Sequence, residues 1–268
     1  MRGARGCRLG LSPGSAHRFR FTVHGEAILN IDLTFTAAEL ERKDLQDKTV
    51  VVIDALRATS TMITALENGC LAFIPVATIE EAKKLFADQG DPKLLLGGER
   101  RALPVAGFHL GNSPRDYRPE KVNGKTVIMT TTNGTRALVA AGKAAEVLIG
   151  AFLNLGALCR RLEESGRDVL IACAGEKGFF CLEDTVCGGA MIGRLEKDGT
   201  PLKKSDAALG AKILYEYFAE DIYGMLAACE WGQYLERMGL GKDVRICAQI
   251  DSSQLVPVYR EGKVSLDR

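Results

Sequence analysis

Val50-Val51-Val52-Ile53-Asp54-Ala55-Leu56-Arg57-Ala58-Thr59-Ser60-Thr61 changes character half-way along. It opens as an apolar, β-branched run without alternation, the pattern of a strand buried on both faces. It closes with an acid, an arginine and a run of hydroxyls. Met62, Ile63, Leu66 and Glu67 then continue at helical spacing to an Asn68-Gly69 helix stop. A strand that ends in Asp and turns into a hydroxyl-capped helix suits an oxyanion and a hard cation. Asp54 offers carboxylate oxygens to a metal, the first helical turn offers unpaired N–H groups, and Arg57 adds a planar fork for phosphate or sulfonate oxygens. A capping carboxylate and a solvated arginine account for the same residues without a ligand, so the stretch alone leaves both readings open.

On either side the same alternation repeats. Strands are expected over Ala27–Phe35, Leu71–Val76, Leu94–Leu96, Thr126–Met129, Glu146–Ile149, Asp168–Ala174 and Val244–Ala248, with a possible edge strand at Val256–Tyr259. Helices are expected from Thr36 through Leu40, over Thr78–Ala87 with a Thr78/Glu81 capping box, and over Asn133–Ala141, Leu153–Glu164, Leu182–Lys197, Ser205–Glu220 and Tyr223–Met238. Strands alternating with helices predict an α/β fold: a three-layer α/β/α arrangement around a mostly parallel or mixed sheet, with the helical region 205–238 as a candidate second subdomain. The apolar face in 205–238 reads as core or as the seam of a homodimer.

The 268 residues fit one large domain, assigned to 27–268. Residues 1–26 differ: Arg2, Arg5, Arg8, Arg18 and Arg20 precede the first acid, Glu26, as in a disordered tail or a mis-assigned start. Lys+Arg 35 against Asp+Glu 34 gives a net charge of +1, so nothing global points to nucleic acid or to an anionic membrane. No apolar run approaches the roughly 20 residues of a membrane span. The 8 cysteines form no CxxC pair and sit mostly in apolar patterns, which suggests reduced thiols in a cytoplasmic protein.

In parallel α/β sheets ligands bind beyond the carboxyl ends of the strands. The unusual polar residues stand there: Asp54, Gly98-Glu99-Arg100, Thr130 to Gly134, and Gly175-Glu176-Lys177 each follow an expected strand. Thr131, Thr132, Asn133 and Gly134 make an anion cradle with Arg136 one turn on, or else a well-capped turn whose glycine serves a positive φ. In Gly111-Asn112-Ser113-Pro114, Ser113 as N-cap and Pro114 at N1 have structural explanations, which leaves Asn112 to meet a substrate. Glu183 and Asp184 open a helix whose next residues are small and apolar, so their carboxylates point toward the sheet edge that Asp54 reaches. Two or three carboxylates there would suit Mg²⁺. A Walker phosphate loop, a Cys-based phosphatase loop, the Asp-x-Asp-x-Thr aspartyl-phosphate pattern, a zinc-site His cluster and a Gly-x-Ser-x-Gly elbow are all absent from the chain. An acid–metal–arginine constellation remains.

The blocks Val51–Thr61, Gly97–Arg100, Gly107–Pro114, Thr130–Ala137 and Leu182–Gly189, in that order, resemble those of the 2-phosphosulfolactate phosphatases, from about Ile28 to Tyr259. The chain has Asp54-Ala55-Leu56-Arg57 where the family pattern usually has Val in second place. The resemblance implies an α/β, Mg²⁺-dependent phosphoric monoester hydrolase that converts (R)-2-phospho-3-sulfolactate to 3-sulfolactate and phosphate, as in one route to coenzyme M. On that reading Asp54, Arg57, Glu99, Glu176 and Asp184 are the catalytic set, with metal held by Asp54, Glu183 and Asp184. Thr59, Ser60, Thr61, Arg100, Asn112, Thr131, Thr132, Asn133, Gly134 and Arg136 bind substrate. Direct water attack and an aspartyl-phosphate on Asp54 both remain open. So do a phosphatase of the same fold with another small anionic phosphoester, and a non-catalytic sensor of such an acid.

Overall fold

A computed structural model describes residues 22–23 and 26–267, so the Arg-rich head expected over 1–26 falls almost wholly outside the described residues. A short hairpin pairs β1 (Thr22–Val23) with β2 (Glu26–Ala27). The main sheet is mixed and 11-stranded: β3 (Leu29–Thr34), β4 (Thr49–Ile53), β5 (Ala72–Pro75), β6 (Leu94–Arg100), β7 (Leu103–Pro104), β8 (Thr126–Thr130), β9 (Glu146–Gly150), β10 (Val169–Cys173), β11 (Leu202–Lys204), β12 (Val258–Arg260) and β13 (Lys263–Ser265). Its spatial order is β11-β3-β10-β4-β9-β12-β13-β5-β8-β6-β7. The first five strands of that order are mutually parallel, and so are β5, β8 and β6. The antiparallel β12–β13 hairpin joins the two blocks, pairing Val258 with Leu148 and Val264 with Phe73.

The Val50–Ile53 run is buried throughout, and its successive side chains feed two different cores. Val51 and Ile53 join Ile31, Leu33, Leu148 and Ile171 beneath α6 (Leu155–Ser165), α7 (Leu182–Lys197) and α8 (Asp206–Phe218). Val50 and Val52 face the other way, with Leu170, Ala172, Val147 and Ile149, onto α2 (Ala58–Glu67) and α5 (Gly134–Ala141). Phe73, Val127 and Met129 of the second block enter that same core from its far side. The second block's outer face, with Leu94, Leu96 and Ile128, is closed by α3 (Ile79–Gln89). Each block is therefore an α/β/α unit, and the two units share the α2–α5 layer.

Three antiparallel pairings separate β9 from β5, so the second parallel block starts out opposed to the first. Twist of roughly 20–25° per strand step, on the order of 100° from β4 to β8, swings the carboxyl ends of the two blocks toward each other. The Asn133 amide at the end of β8 accordingly reaches Glu176 beyond β10, at 2.7 Å.

Most expected elements form close to their expected bounds; α7 coincides with its range, and α1 (Ala37–Leu40) is capped by Thr36 as read. Four differ. Val244–Ala248 is not a strand: Gly241–Cys247 is a helix, α11, burying Asp243, Val244 and Cys247 on one face. A short apolar run does not separate the two periods by itself. Tyr223–Met238 is not one helix but two, α9 (Ile222–Ala228) and α10 (Glu230–Arg237), broken where Cys229 is extended and its Sγ accepts the Gly232 amide. A Cβ on Gly232 would lie 1.7 Å from the Leu226 carbonyl oxygen, so the corner depends on close backbone approach. The Leu94 strand continues through Gly97 and Gly98 to Arg100, because Gly98 (φ 149°) lets β6 lie against the Thr130 carbonyl, 2.1 Å from where a Cβ would sit. The strand expected at the sheet edge near Val256–Tyr259 is instead interior, flanked by β9 and β13.

Candidate active site

A small open cavity lies at the converging strand ends, lined by Asp54, Leu56, Arg57, Glu99, Asn112, Thr132, Asn133, Glu176 and Trp231. All but Leu56 and Trp231 are expected site residues.

Asp54 caps α2 as the ligand-free reading has it: Oδ1 accepts the Ala58 amide at 3.0 Å, and its carbonyl accepts the Thr59 amide at 3.1 Å. Its other oxygen faces α5. A Cβ on Gly134 would lie 2.6 Å from Asp54 Oδ2 and 2.8 Å from the Ala58 Cβ, so Gly134 is there for close approach and not for a positive φ. Burial, and then the charges of Glu99, Glu183 and Glu176, push the Asp54 carboxyl up to about 7, against the pull of the Ala58 amide.

Glu99 is buried and anchors the opposite wall. Its Oε1 accepts both the Thr132 amide and hydroxyl, at 3.0 and 2.9 Å, and its Oε2 accepts the Ala102 amide at 2.9 Å. Glu176 sits at the mouth, accepting from Asn133 Nδ2 and pairing with exposed Lys177 at 3.0 Å. Asn133 Oδ1 accepts the Lys177 amide, so one side-chain amide clasps two strand-end loops.

Arg57 is 2% exposed and not solvated. Its Nη1 donates to Asp243 at 2.7 Å and its Nη2 to the Ala102 carbonyl at 3.1 Å, while Nε stays buried without a partner. Asn112 Oδ1 is likewise buried and unpartnered. A buried donor and a buried acceptor left open, on two residues that line the cavity, are an uncompensated cost unless a partner meets them.

The remaining expected residues lie outside the cavity lining. The hydroxyls of Thr59, Ser60 and Thr61 donate to the carbonyls of Asp54, Ala55 and Asn112. Thr131 Oγ1 accepts the Thr135 amide and caps α5. Arg100 is pinned to Thr130 and to its own strand, and Arg136 is exposed. Asp184 is buried behind the cavity, its oxygens accepting the Ala55 amide at 2.8 Å and the Gly175 amide at 3.2 Å, which ties the ends of β4 and β10 together. Burial and the charges of Asp54 and Glu183 hold its carboxyl well above the usual range, and burial first of all raises Glu183 too. Among the described residues no group of three or more His, Cys, Asp or Glu side chains is arranged to hold a metal ion.

Sequence reasoning missed Leu56, Trp231 and Asp243. Ser113 stands at the N-cap with Pro114 at N1 as read, but its Oγ makes no capping bond and instead donates to Asp243 at 2.7 Å.

The profile of the 2-phosphosulpholactate phosphatase family matches residues 34–262. The chain belongs to this family. Proteins named probable 2-phosphosulfolactate phosphatase are similar to it across nearly their full length. That of Clostridium acetobutylicum is 40% identical over 236 residues, covering 88% of this chain and 100% of its own. Those of Caldanaerobacter subterraneus subsp. tengcongensis and Symbiobacterium thermophilum are each 40% identical, over 229 and 224 residues, covering 85% and 84% of this chain and 95% and 96% of their own. As a family member the chain is a phosphoric monoester hydrolase. No helix among its described residues is long and apolar enough to cross a membrane.

The cavity's charge bears on the chemistry. Three carboxylates line it against one arginine already paired with Asp243. Left so, it repels a phosphate ester. A divalent cation held by oxygen ligands reverses that sign, and Mg²⁺ needs only one or two protein carboxylates when substrate phosphate and water complete its shell. Asp54 and Glu176 offer hard oxygens of the kind such an ion takes, two protein carboxylates that leave the rest of its shell to substrate and water.

Proposed function

We propose that the protein hydrolyses 2-phospho-3-sulfolactate to 3-sulfolactate and phosphate with Mg²⁺, the reaction type of one route to coenzyme M. The observation that carries this reading is the cavity itself. It joins three carboxylates to an arginine with an unpartnered Nε and an asparagine with an unpartnered side-chain Oδ1, Asn112. A sensor of anions would need the arginine but not the acids, so the acids favour turnover.

Asp54 and Glu176 would hold the metal, which when bound neutralises phosphoryl oxygens. Arg57 Nε meets an anionic oxygen of the substrate, as a charged donor already stripped of water. The amides at the Asn133–Gly134 turn face the phosphoryl group at the start of α5. A carboxylate at the cavity mouth takes a proton from the attacking water, and that proton passes to the departing alkoxide oxygen. Trp231 and Leu56 shield the reacting centre from bulk water.

The test is release of inorganic phosphate from 2-phospho-3-sulfolactate beside phospholactate and phosphoglycerate. The sulfonated ester is expected to be turned over with kcat/KM at least tenfold higher than either plain ester. Release from the plain esters alone would keep the phosphatase and discard this substrate. Binding without release from any would move the reading to a sensor.

A further inference from the structure

We infer that Asp243, together with Ser113, is a positioning residue that fixes the Arg57 guanidinium so that its unpartnered Nε meets the substrate anion. This rests on the anion-binding reading of the cavity.

Asp243 lies 186 residues from Arg57, on α11, yet its side chain and that of Arg57 are 0% and 1% exposed and meet at 2.7 Å. Its other oxygen accepts the Ser113 hydroxyl at 2.7 Å. Both carboxylate oxygens are thereby used, one to hold the arginine and one to be held. The Ala102 carbonyl takes the second terminal nitrogen of Arg57. Rotation of the guanidinium about its stem would break both bonds, so the directions of its open N–H groups, that of Nε among them, are set by groups that do not line the cavity. A buried guanidinium could have been neutralised by any nearby acid. Asp54 and Glu99 line the same cavity, but the bond goes to Asp243, which leaves those two free of the arginine. The helical corner α9–α11 is thus joined to the site twice, through Trp231 and through Asp243.

Trp231 is the chain's single tryptophan and lines the cavity, so its fluorescence reports occupancy without turnover. Inorganic phosphate and, separately, 3-sulfolactate are titrated in the presence of Mg²⁺ into the full chain, Asp243→Asn, Arg57→Gln and the double variant. Asparagine keeps the shape and can still face both neighbours, but it removes the charge that orients the guanidinium. Asp243→Asn is expected to weaken binding of the anion that meets Arg57 at least tenfold in the native background. In the Arg57→Gln background it should weaken it less than twofold, because the effect runs through the arginine. Equal losses in both backgrounds, or no loss in a folded Asp243→Asn, would overturn the inference. Should Asp243→Asn fail to fold, Ser113→Ala decides by the same pair of backgrounds, with three- to fivefold weakening expected in the native one and none in the other. Binding of phosphate but not of 3-sulfolactate would defeat the substrate reading, while the phosphate titration still decides the role of Asp243.

Discussion

Asp54→Asn is expected to lower phosphate release by about 10³-fold or more while leaving a folded protein that is more stable at mildly alkaline pH. The asparagine oxygen can still accept the Ala58 amide, now 3.0 Å from Asp54 Oδ1, so the cap on α2 survives. What disappears is the charge that would hold a cation and balance the phosphoryl transfer. The stability gain follows from linkage. The folded carboxyl is raised to about 7 from an ordinary value of 3.8, chiefly by burial and then by Glu99, Glu183 and Glu176. Between those values the folded state holds the proton more tightly than the unfolded chain does. The Asp54 contribution to stability is therefore intact below 3.8, falls as pH rises toward 7, and stays low above it. The uncharged amide of the variant has no such slope. Melting in a chelating buffer at pH 8 should favour the variant by an amount on the order of 1–3 kcal/mol, with the gap closing toward pH 4. Near-native phosphate release by Asp54→Asn would remove this residue from the chemistry.

Gly134→Ala is the second change expected to act strongly. Alanine is ordinarily the better helix former, by roughly 1 kcal/mol, and no positive φ stands in its way. Packing decides the sign. The new methyl would meet Asp54 Oδ2 at 2.6 Å and the Ala58 Cβ at 2.8 Å, so α5 must move away from α2 in the layer that both sheet blocks share. Overpacking of this kind costs about 1–3 kcal/mol, which for a chain of this size lowers Tm by roughly 3–10 °C. The same shift displaces Asn133 and the turn amides from the cavity, and a misplacement near 1 Å lowers turnover on the order of 10²-fold. Gly210→Ala is the control: it lies on α8 with open space around it, and is expected to hold or raise Tm. A Gly134→Ala protein that melts and turns over like the native one would contradict the packing argument.

The residues behind these two effects were legible in the sequence to different degrees. Val50–Ile53 announced a doubly buried strand through its unbroken apolar run, and the strand ends bearing Asp54, Glu99, Asn133 and Glu176 were readable because loaded ends of parallel strands have one place to go. What each side chain does there was not readable. The hydroxyls of Thr59, Ser60 and Thr61 look the same in sequence whether they bind a ligand or satisfy backbone carbonyls, and they do the latter. Asp184 sits beside Asp54 in the fold but spends both oxygens on backbone amides. Asp243 left no signal at all, since its partner is 186 residues away and the short apolar run around it reads as a strand. Cysteine at 229 gave no warning of a helix break, which comes from a sulfur cap and a glycine packed on a carbonyl.

On the proposed reading, the acidic cavity takes a phosphate ester with a divalent cation in place. The most direct measurement is inorganic phosphate release from 2-phospho-3-sulfolactate by protein freed of metal with a chelator, before and after Mg²⁺ is restored. Release should fall by at least about 10²-fold in chelator and return with Mg²⁺. Undiminished release in chelator would show that the carboxylates of Asp54, Glu99 and Glu176 serve the reaction without a cation, and would contradict the requirement for one.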